Sequence, residues 1–383
     1  MSNDLTLIIS LLFILLLSPF VARIINLPTT PIEIVMGAVA TYFGWMNDHH
    51  FFELIAEFGF LYLMFLAGSE LNLKKIFHKS SGLIERSLLY LGILYLTSFL
   101  FTLYFGFSNI FIVLLPLISI GLVASLSKEY GSDQEWIQLS FNIGGIGEVV
   151  SIVIITIVSA FFQYGDHAQT YINIAEFILF MIFIVILFKF LKILFWWFPE
   201  IAEYIMPTQD NQEQDLRFAF AILFAFLSGM IYLHLEAAFG AFLAGVFLTT
   251  FFENKHQLHI KLSSIGFGFF IPLFFIHIGT TFEVDALFLD GLILKALLIT
   301  FVMISMRLIS AFVFYKKVGL KQTLLFGLSH SMPLTLLIAI ATLAYQSNSI
   351  DQFHYYAFIL SALFEVILVM MGIKWIYISK QLD

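Results

Sequence analysis

The chain has 383 residues, of which 61% are hydrophobic and only 11% are charged, and its mean hydropathy is +0.98. This balance excludes a soluble globular domain, in which about 25% of residues are charged. The net charge of −8 is not gathered in a tail and no basic block is present, so nucleic-acid binding is not expected, and the lack of cysteine excludes disulfides and thiolate chemistry.

Taken in chain order, the apolar runs predict about thirteen membrane-spanning helices. Many runs are longer than the ~20 residues that cross a bilayer, and they are continuous rather than alternating, which excludes a β-barrel. The first run follows Asp4 rather than a basic segment and no small-residue cleavage site follows it, so we expect a retained span. The spans centre at about residues 14, 37, 60, 96, 117, 150, 183, 224, 245, 271, 303, 334 and 365.

Basic residues alternate along the chain in a way that predicts the orientation of the spans. Loops after even-numbered spans carry almost nothing basic, and cytoplasmic loops collect Lys and Arg. The N-terminus is therefore expected outside the cell (inner) membrane and the C-terminus in the cytoplasm. The basic residues after odd-numbered spans are Arg23, Lys74, Lys75, Lys79, Arg86, Lys128, Lys192, Arg217, Lys255, Lys261, Lys316, Lys317, Lys321 and Lys380.

The longest polar stretch, Glu200 to Arg217, divides the chain into two halves. Equivalent spans in the two halves would run in opposite directions, as in the inverted repeats of secondary transporters. We therefore predict a single transmembrane domain over residues 1–383, with repeats at about 1–163 and 215–379 linked by span seven at about 171–196. The chain ends soon after span thirteen, so no cytosolic regulatory domain is expected.

Spans five and twelve are interrupted at corresponding places. Span five reads LLPLISIGLVASL around Pro116, and span twelve reads GLSHSMPLTLL around His330 and Pro333. Paired broken helices hold ions at the midplane of many transporters. The alternative is an ordinary proline kink, which membrane helices tolerate.

Glu148 is the first buried charge that needs an explanation, because it lies near the middle of span six in FNIGGIGEVVSIVIITI. A charge at this depth costs roughly 2.5 to 3.5 kcal/mol on insertion scales. The preceding Gly144, Gly145 and Gly147 would let a helix or an ion approach closely. Such a carboxylate could hold a proton or a cation in turn. The alternative is a glutamate kept neutral or paired only to fix packing.

Arg307, in span eleven, is the second strong charge inside a span. It could pair with Glu148 or neutralise helix carbonyls, and a structural role is favoured because arginine does not deprotonate in practice. Glu365 is either a second carrier or a hydrogen-bonded packing residue. Glu70, where span three meets the cytoplasm, is expected to be interfacial. A membrane histidine such as His330 is more often a hydrogen-bond partner than a pH sensor.

Several stretches together resemble the membrane domain of Kef-type monovalent cation:proton antiporters, over nearly the whole chain. They are LPTTPIEIVMGAV, FLAGSELNLKK, Ser119 followed by SLSKEYG, FGAFLAGVFL, PLFFIHIGTTFEVD and Arg307. The resemblance implies an all-α sodium/proton antiporter-like fold and a homodimer in which a six-helix core moves against a dimerisation domain.

The resemblance also implies roles for individual residues. Glu148 would be the carboxylate shared by cation and proton, Ser119 and carbonyls near the break would add oxygen ligands, and Arg307 would compensate charge. The family usually has Asn or Asp where this chain has Gly147, which favours electroneutral exchange of Na⁺ or K⁺ for H⁺ through one carboxylate. Asn142, six residues before Glu148, lies on another helix face and is a poor replacement.

Other functions on the same scaffold remain open at this stage. A cation channel or symporter could use the same inverted repeats, and a membrane ion sensor could bind the ion without moving it. An enzyme is not expected, because an intramembrane hydrolase would need HExxH or a nucleophile constellation, and the sequence has neither. No cofactor is expected beyond the transported ions, the expected partners are lipid and ions, and the sequence leaves open whether there is a separate regulatory subunit.

Overall fold

The computed structural model describes residues 2–25, 28–46, 50–70, 81–131, 133–164, 167–198, 200–201, 204, 213–233, 235, 237–252 and 256–378. All regular structure within these ranges is helical. The helices are α1 (Ser2–Ile25), α2 (Thr29–Tyr42), α3 (His50–Glu70), α4 (Ser81–Phe105), α5 (Phe111–Leu114), α6 (Gly121–Tyr130), α7 (Glu135–Tyr164), α8 (Ala168–Trp197), α9 (Gln214–Tyr232), α10 (Ala237–Phe251), α11 (His256–Ile265), α12 (Ile271–Thr280), α13 (Leu292–Ala311), α14 (Tyr315–Ser329), α15 (Leu334–Gln346) and α16 (Gln352–Ile378).

Eight helical stretches in the described residues are long and apolar enough to cross a membrane, and Ala237–Phe251 is a shorter apolar helix. The predicted all-helical membrane fold is confirmed. The count of thirteen spans stays a prediction. A π-helical turn, Gly266–Phe270, joins α11 to α12.

Both predicted breaks are present. Residues 115–120, around Pro116, leave the helix between α5 and α6, and residues 330–333, ending at Pro333, do so between α14 and α15. Proline lacks an N–H and clashes with the preceding turn, which ends a helix. Helix α5 contacts α15 and α6 contacts α14, so the first half of each broken span lies against the second half of the other. This crossing fits spans that run in opposite directions, and the inverted repeat as a whole stays a prediction.

The chain divides into two compact units. Unit 1 contains Met1–Asn47, Lys79–Ile155 and Ile278–Asp383, and unit 2 contains Asp48–His78 and Thr156–His277. Within unit 1, α13 packs against α4, α14 and α16. Both helix breaks therefore belong to unit 1.

Unit 2 is built around the close packing of α3 on α10. A Cβ at Gly68 would overlap the carbonyl of Phe242, and one at Gly245 would overlap the carbonyl of Phe65. Small residues let two membrane helices approach to backbone contact. Helix α10 is buried on every side from Ala238 to Leu248, as expected of a helix that is apolar all round.

Candidate functional site

Glu148 lies at the break of span five. Its side chain is fully buried in α7. Ser119 Oγ donates a hydrogen bond to Glu148 Oε1 at 3.3 Å, and the Ile120 N–H donates to Oε2 at 3.4 Å. The carboxylate therefore faces the unwound backbone between α5 and α6, together with the hydroxyl that was predicted to accompany it.

Ser151, on the same helix as Glu148, accepts a hydrogen bond from a second backbone amide of the break. The Ile118 N–H donates to Ser151 Oγ at 3.1 Å. Residues 148 and 151 are three apart, so they share one face of α7. Two amides that the break removes from the helix are thus satisfied by side chains of α7, as buried amides require. Sequence analysis missed Ser151, although its spacing from Glu148 was the signal that could have identified it.

Two glycines shape the same face of α7. A Cβ at Gly147 would lie 2.5 Å from Ile118 Cδ1, and a Cβ at Gly144 would lie 2.6 Å from Ile120 Cγ2 and 2.9 Å from His330 Nε2. Contacts this short are not tolerated by real side chains. A Cβ at either position would have to displace these atoms, so the two glycines let α7 lie close to the two breaks.

Arg307 is fully buried and also binds the backbone of the span-five break. Its Nη2 donates to the Leu117 carbonyl at 2.6 Å, and its Nη1 donates to the Met303 carbonyl at 2.9 Å. Nη1 also lies 3.6 Å from Glu365 Oε1. Of the two contacts considered from sequence, the structure shows the one with helix carbonyls, and the ion-pair partner among the described residues is Glu365.

Glu365 is also fully buried, in α16. Neither of its carboxylate oxygens has a hydrogen-bond partner among the described residues, so the charge of Arg307 is its main polar contact there. Its role, as a second carrier or as a packing residue, stays a prediction. Glu365 is an ion-paired residue.

His330 joins the second break to two neighbouring helices. Its Nε2 lies 3.1 Å from the Ser140 carbonyl of α7, and its Nδ1 lies 3.0 Å from Tyr90 Oη of α4. Because a carbonyl only accepts, Nε2 carries a hydrogen, and the neutral ring then accepts from Tyr90 at Nδ1. Sequence analysis anticipated a hydrogen-bond partner at His330, but no local signal identified Tyr90 or Ser140.

The remaining candidates lie in different places. Pro116 and Pro333 are in the two breaks. Asn142 Nδ2 donates to the Gln138 carbonyl of its own helix at 2.6 Å, so that amide does not face Glu148 in this contact. Glu70 is the last residue of α3, in unit 2, and its side chain lies outside the described part of the chain.

The site combines one carboxylate, one hydroxyl and backbone groups released from a helix. Hard cations prefer oxygen ligands of these kinds. A fully buried carboxylate also needs a proton or a counter-ion, because an isolated charge is costly away from water. The arrangement can thus accept either a small cation or a proton at the same oxygens.

Comparison with known proteins identifies one matching family and relatives that are named as Na⁺/H⁺ antiporters. The family model described as "Sodium/hydrogen exchanger, transmembrane" matches residues 9–378. A Bacillus subtilis protein named for Na⁺/H⁺ antiport is 25% identical over 353 residues, which are 85% of this chain and 55% of that protein. A Na⁺/H⁺ antiporter of Enterococcus hirae is 24% identical over 356 residues, 88% of each chain.

A solved structure has the same fold. The sodium proton antiporter MjNhaP1 from Methanocaldococcus jannaschii superimposes with a TM-score of 0.65 at 16% identity, covering 98% of this chain and 100% of that one. At this identity, the likeness concerns the fold alone.

Proposed function

The chain belongs to the sodium/hydrogen exchanger transmembrane family, and from this membership we propose that it exchanges Na⁺ or K⁺ for H⁺ by alternating access, with Glu148 as the shared binding carboxylate. It acts as a secondary transporter rather than an enzyme. By the distribution of basic residues, its N-terminus lies outside the cell membrane and its C-terminus lies in the cytoplasm. By resemblance to Kef-type antiporters, it forms a homodimer.

One observation carries the proposal: Glu148 is fully buried in a membrane helix and faces Ser119 and the Ile120 N–H at a helix break. In the proton-bound state the carboxyl is neutral. In the cation-bound state the carboxylate, the Ser119 hydroxyl and carbonyls of the break supply oxygen ligands. The two states exclude each other because both use the same oxygens.

We propose that the exchange is electroneutral. The position before the carboxylate is Gly147, which offers no side chain to carry a second proton. One cation therefore moves against one proton, and clamping the membrane potential should leave the rate unchanged. The choice between Na⁺ and K⁺ depends on cavity size, and the Kef-type resemblance keeps K⁺ among the substrates to test.

The test is the Glu148→Gln variant in proteoliposomes that carry a pH gradient. Dissipation of the gradient on addition of Na⁺, K⁺ or Li⁺ should fall to the rate of protein-free vesicles, because glutamine has similar size but cannot exchange a proton. Glu176→Gln is the matched control, since Glu176 is a half-buried carboxylate of α8 in unit 2. Cation-dependent dissipation that persists in Glu148→Gln would rule out the assignment.

The same vesicles separate the alternative functions. A channel would show conductance without a stoichiometric counterflow of protons. A sensor would bind the cation, detected as a rise in melting temperature, without any dissipation by the unmodified protein.

A further inference from the structure

We infer that Glu365 sets the cation affinity of the site by compensating the positive charge of Arg307, so that Glu148 stays available for the transported cation. Glu365 is thus a positioning residue that acts through Arg307. The inference rests on the proposed role of Glu148.

Few charged side chains are fully buried in the described part of the chain. Among the described residues, Glu148, Arg307 and Glu365 are the acidic and basic side chains with no exposed surface, and all three lie in unit 1. The described contacts of the Arg307 guanidinium are the carbonyls of Leu117 and Met303 and the carboxylate of Glu365.

Arg307 and Glu148 contact the same short segment of backbone. Arg307 binds the backbone at Leu117, and Glu148 binds the backbone at Ser119 and Ile120. Consecutive Cα atoms are ~3.8 Å apart, so Leu117 and Ser119 are separated by less than about 8 Å. A positive charge at one end of this short segment acts on a carboxylate or a cation at the other end, because both side chains are fully buried and bulk water does not screen them.

These three side chains set the net charge around the site. Arg307 and Glu365 together are neutral, which leaves one negative charge on Glu148 for one cation or one proton. Without the negative charge of Glu365, Arg307 becomes the counter-ion of Glu148 and repels the transported cation. In a partly polar interior, leaving one buried charge near the site uncompensated corresponds to a loss of affinity on the order of 10-fold.

A purely structural role for Glu365 makes a different prediction. Removing one partner of a buried ion pair destabilises a protein because the other charge is left uncompensated. In that case Glu365→Gln would lower the melting temperature, and the cation concentration that gives half-maximal exchange would not change.

The experiment compares Glu365→Gln, Glu365→Asp and the double variant Arg307→Met/Glu365→Gln in proteoliposomes over a range of Na⁺ and K⁺ concentrations. Glu365→Gln should raise the half-maximal cation concentration at least ~10-fold, and Glu365→Asp, which keeps the charge, should raise it far less. The double variant should recover most of the affinity lost in Glu365→Gln, because the net charge around Glu148 is restored. Glu33→Gln is the control, since Glu33 is a buried carboxylate of α2 in the same unit.

Two results would overturn the inference: an unchanged half-maximal concentration in Glu365→Gln, or a double variant with affinity as low as Glu365→Gln. If Glu365→Gln does not fold, a folded double variant with an affinity far below that of the unmodified protein would also overturn it. Failure of the Glu148 proposal is recognised separately, because Glu148→Gln would then exchange cations like the unmodified protein.

Discussion

At the scale of single residues, packing explains why the residue before Glu148 is a glycine. The space that its side chain would occupy is filled by Ile118, whose Cδ1 would lie 2.5 Å from the added Cβ. The Ile118 N–H is in turn held by Ser151. The residue before the carboxylate therefore serves as a contact surface for the helix break.

This contact gives a prediction for Gly147→Asn, which introduces the residue type that the resembling family usually has. The new side chain should displace Ile118 and lower both the melting temperature and the exchange rate, because overpacking costs about 1 to 3 kcal/mol. Exchange in proteoliposomes and thermal unfolding in detergent measure the two effects.

Shortening the Ile118 side chain should restore part of the exchange rate that Gly147→Asn loses. Combining Gly147→Asn with Ile118→Ala makes room for the amide, and the pair should exchange cations faster than Gly147→Asn alone. Gly92→Ala is the control, since nothing lies within 4 Å of a Cβ at Gly92. A fully active, fully stable Gly147→Asn protein would contradict the packing account.

At the scale of elements, the break between α5 and α6 is held by side chains of other helices. Glu148 and Ser151 of α7 accept from the amides of Ile120 and Ile118, while Arg307 of α13 donates to the carbonyl of Leu117. An unwound segment at membrane depth needs such partners, because lipid cannot form hydrogen bonds with its backbone. The break is therefore a defined structure rather than a local kink.

Ser151→Ala tests how much one of these hydrogen-bond partners contributes to the stability of the protein. The substitution leaves the Ile118 N–H unsatisfied, which should cost about 1 to 3 kcal/mol and lower the melting temperature. Ser264→Ala is the matched control, because Ser264 is exposed and donates a hydrogen bond to the Ile260 carbonyl of its own helix. Equal melting temperatures for the two variants would show that the Ser151 hydrogen bond does not support the break.

At the scale of the whole molecule, each unit depends on its own kind of packing. Unit 1 places buried polar groups at two helix breaks, whereas unit 2 joins α3 and α10 through glycines. In lipid the hydrophobic effect does not hold helices together, so close van der Waals contact must do so. Loss of this contact should lower the stability of unit 2.

Gly245→Ala tests this dependence. The added methyl group would meet the Phe65 carbonyl and the Ser69 amide, which are backbone atoms and cannot rotate away. We expect a large fall in melting temperature, measured by thermal unfolding in detergent. Gly229→Ala, in the same unit, has open space around its Cβ and should be neutral or slightly stabilising, since alanine favours helix over glycine by about 1 kcal/mol. Similar stability of the two variants would contradict the packing role of Gly245.

The sequence by itself determined the membrane environment, the helical class, the two breaks and the burial of Glu148 and Arg307. These follow from local properties: apolar runs longer than a bilayer, prolines within them, and charges whose depth can be counted along one span. The family resemblance then pointed to cation:proton antiport, and membership of the sodium/hydrogen exchanger family confirms that general class.

Only the tertiary structure decided which groups meet. It paired Arg307 with Glu365 and with the Leu117 carbonyl, which is 190 residues away in the chain, and it joined His330 to Tyr90, 240 residues away. It also assigned Gly144 and Gly147 to contacts with the breaks. Hydropathy and spacing describe one helix at a time, whereas these contacts depend on how helices far apart in the sequence cross each other, and that is set by packing.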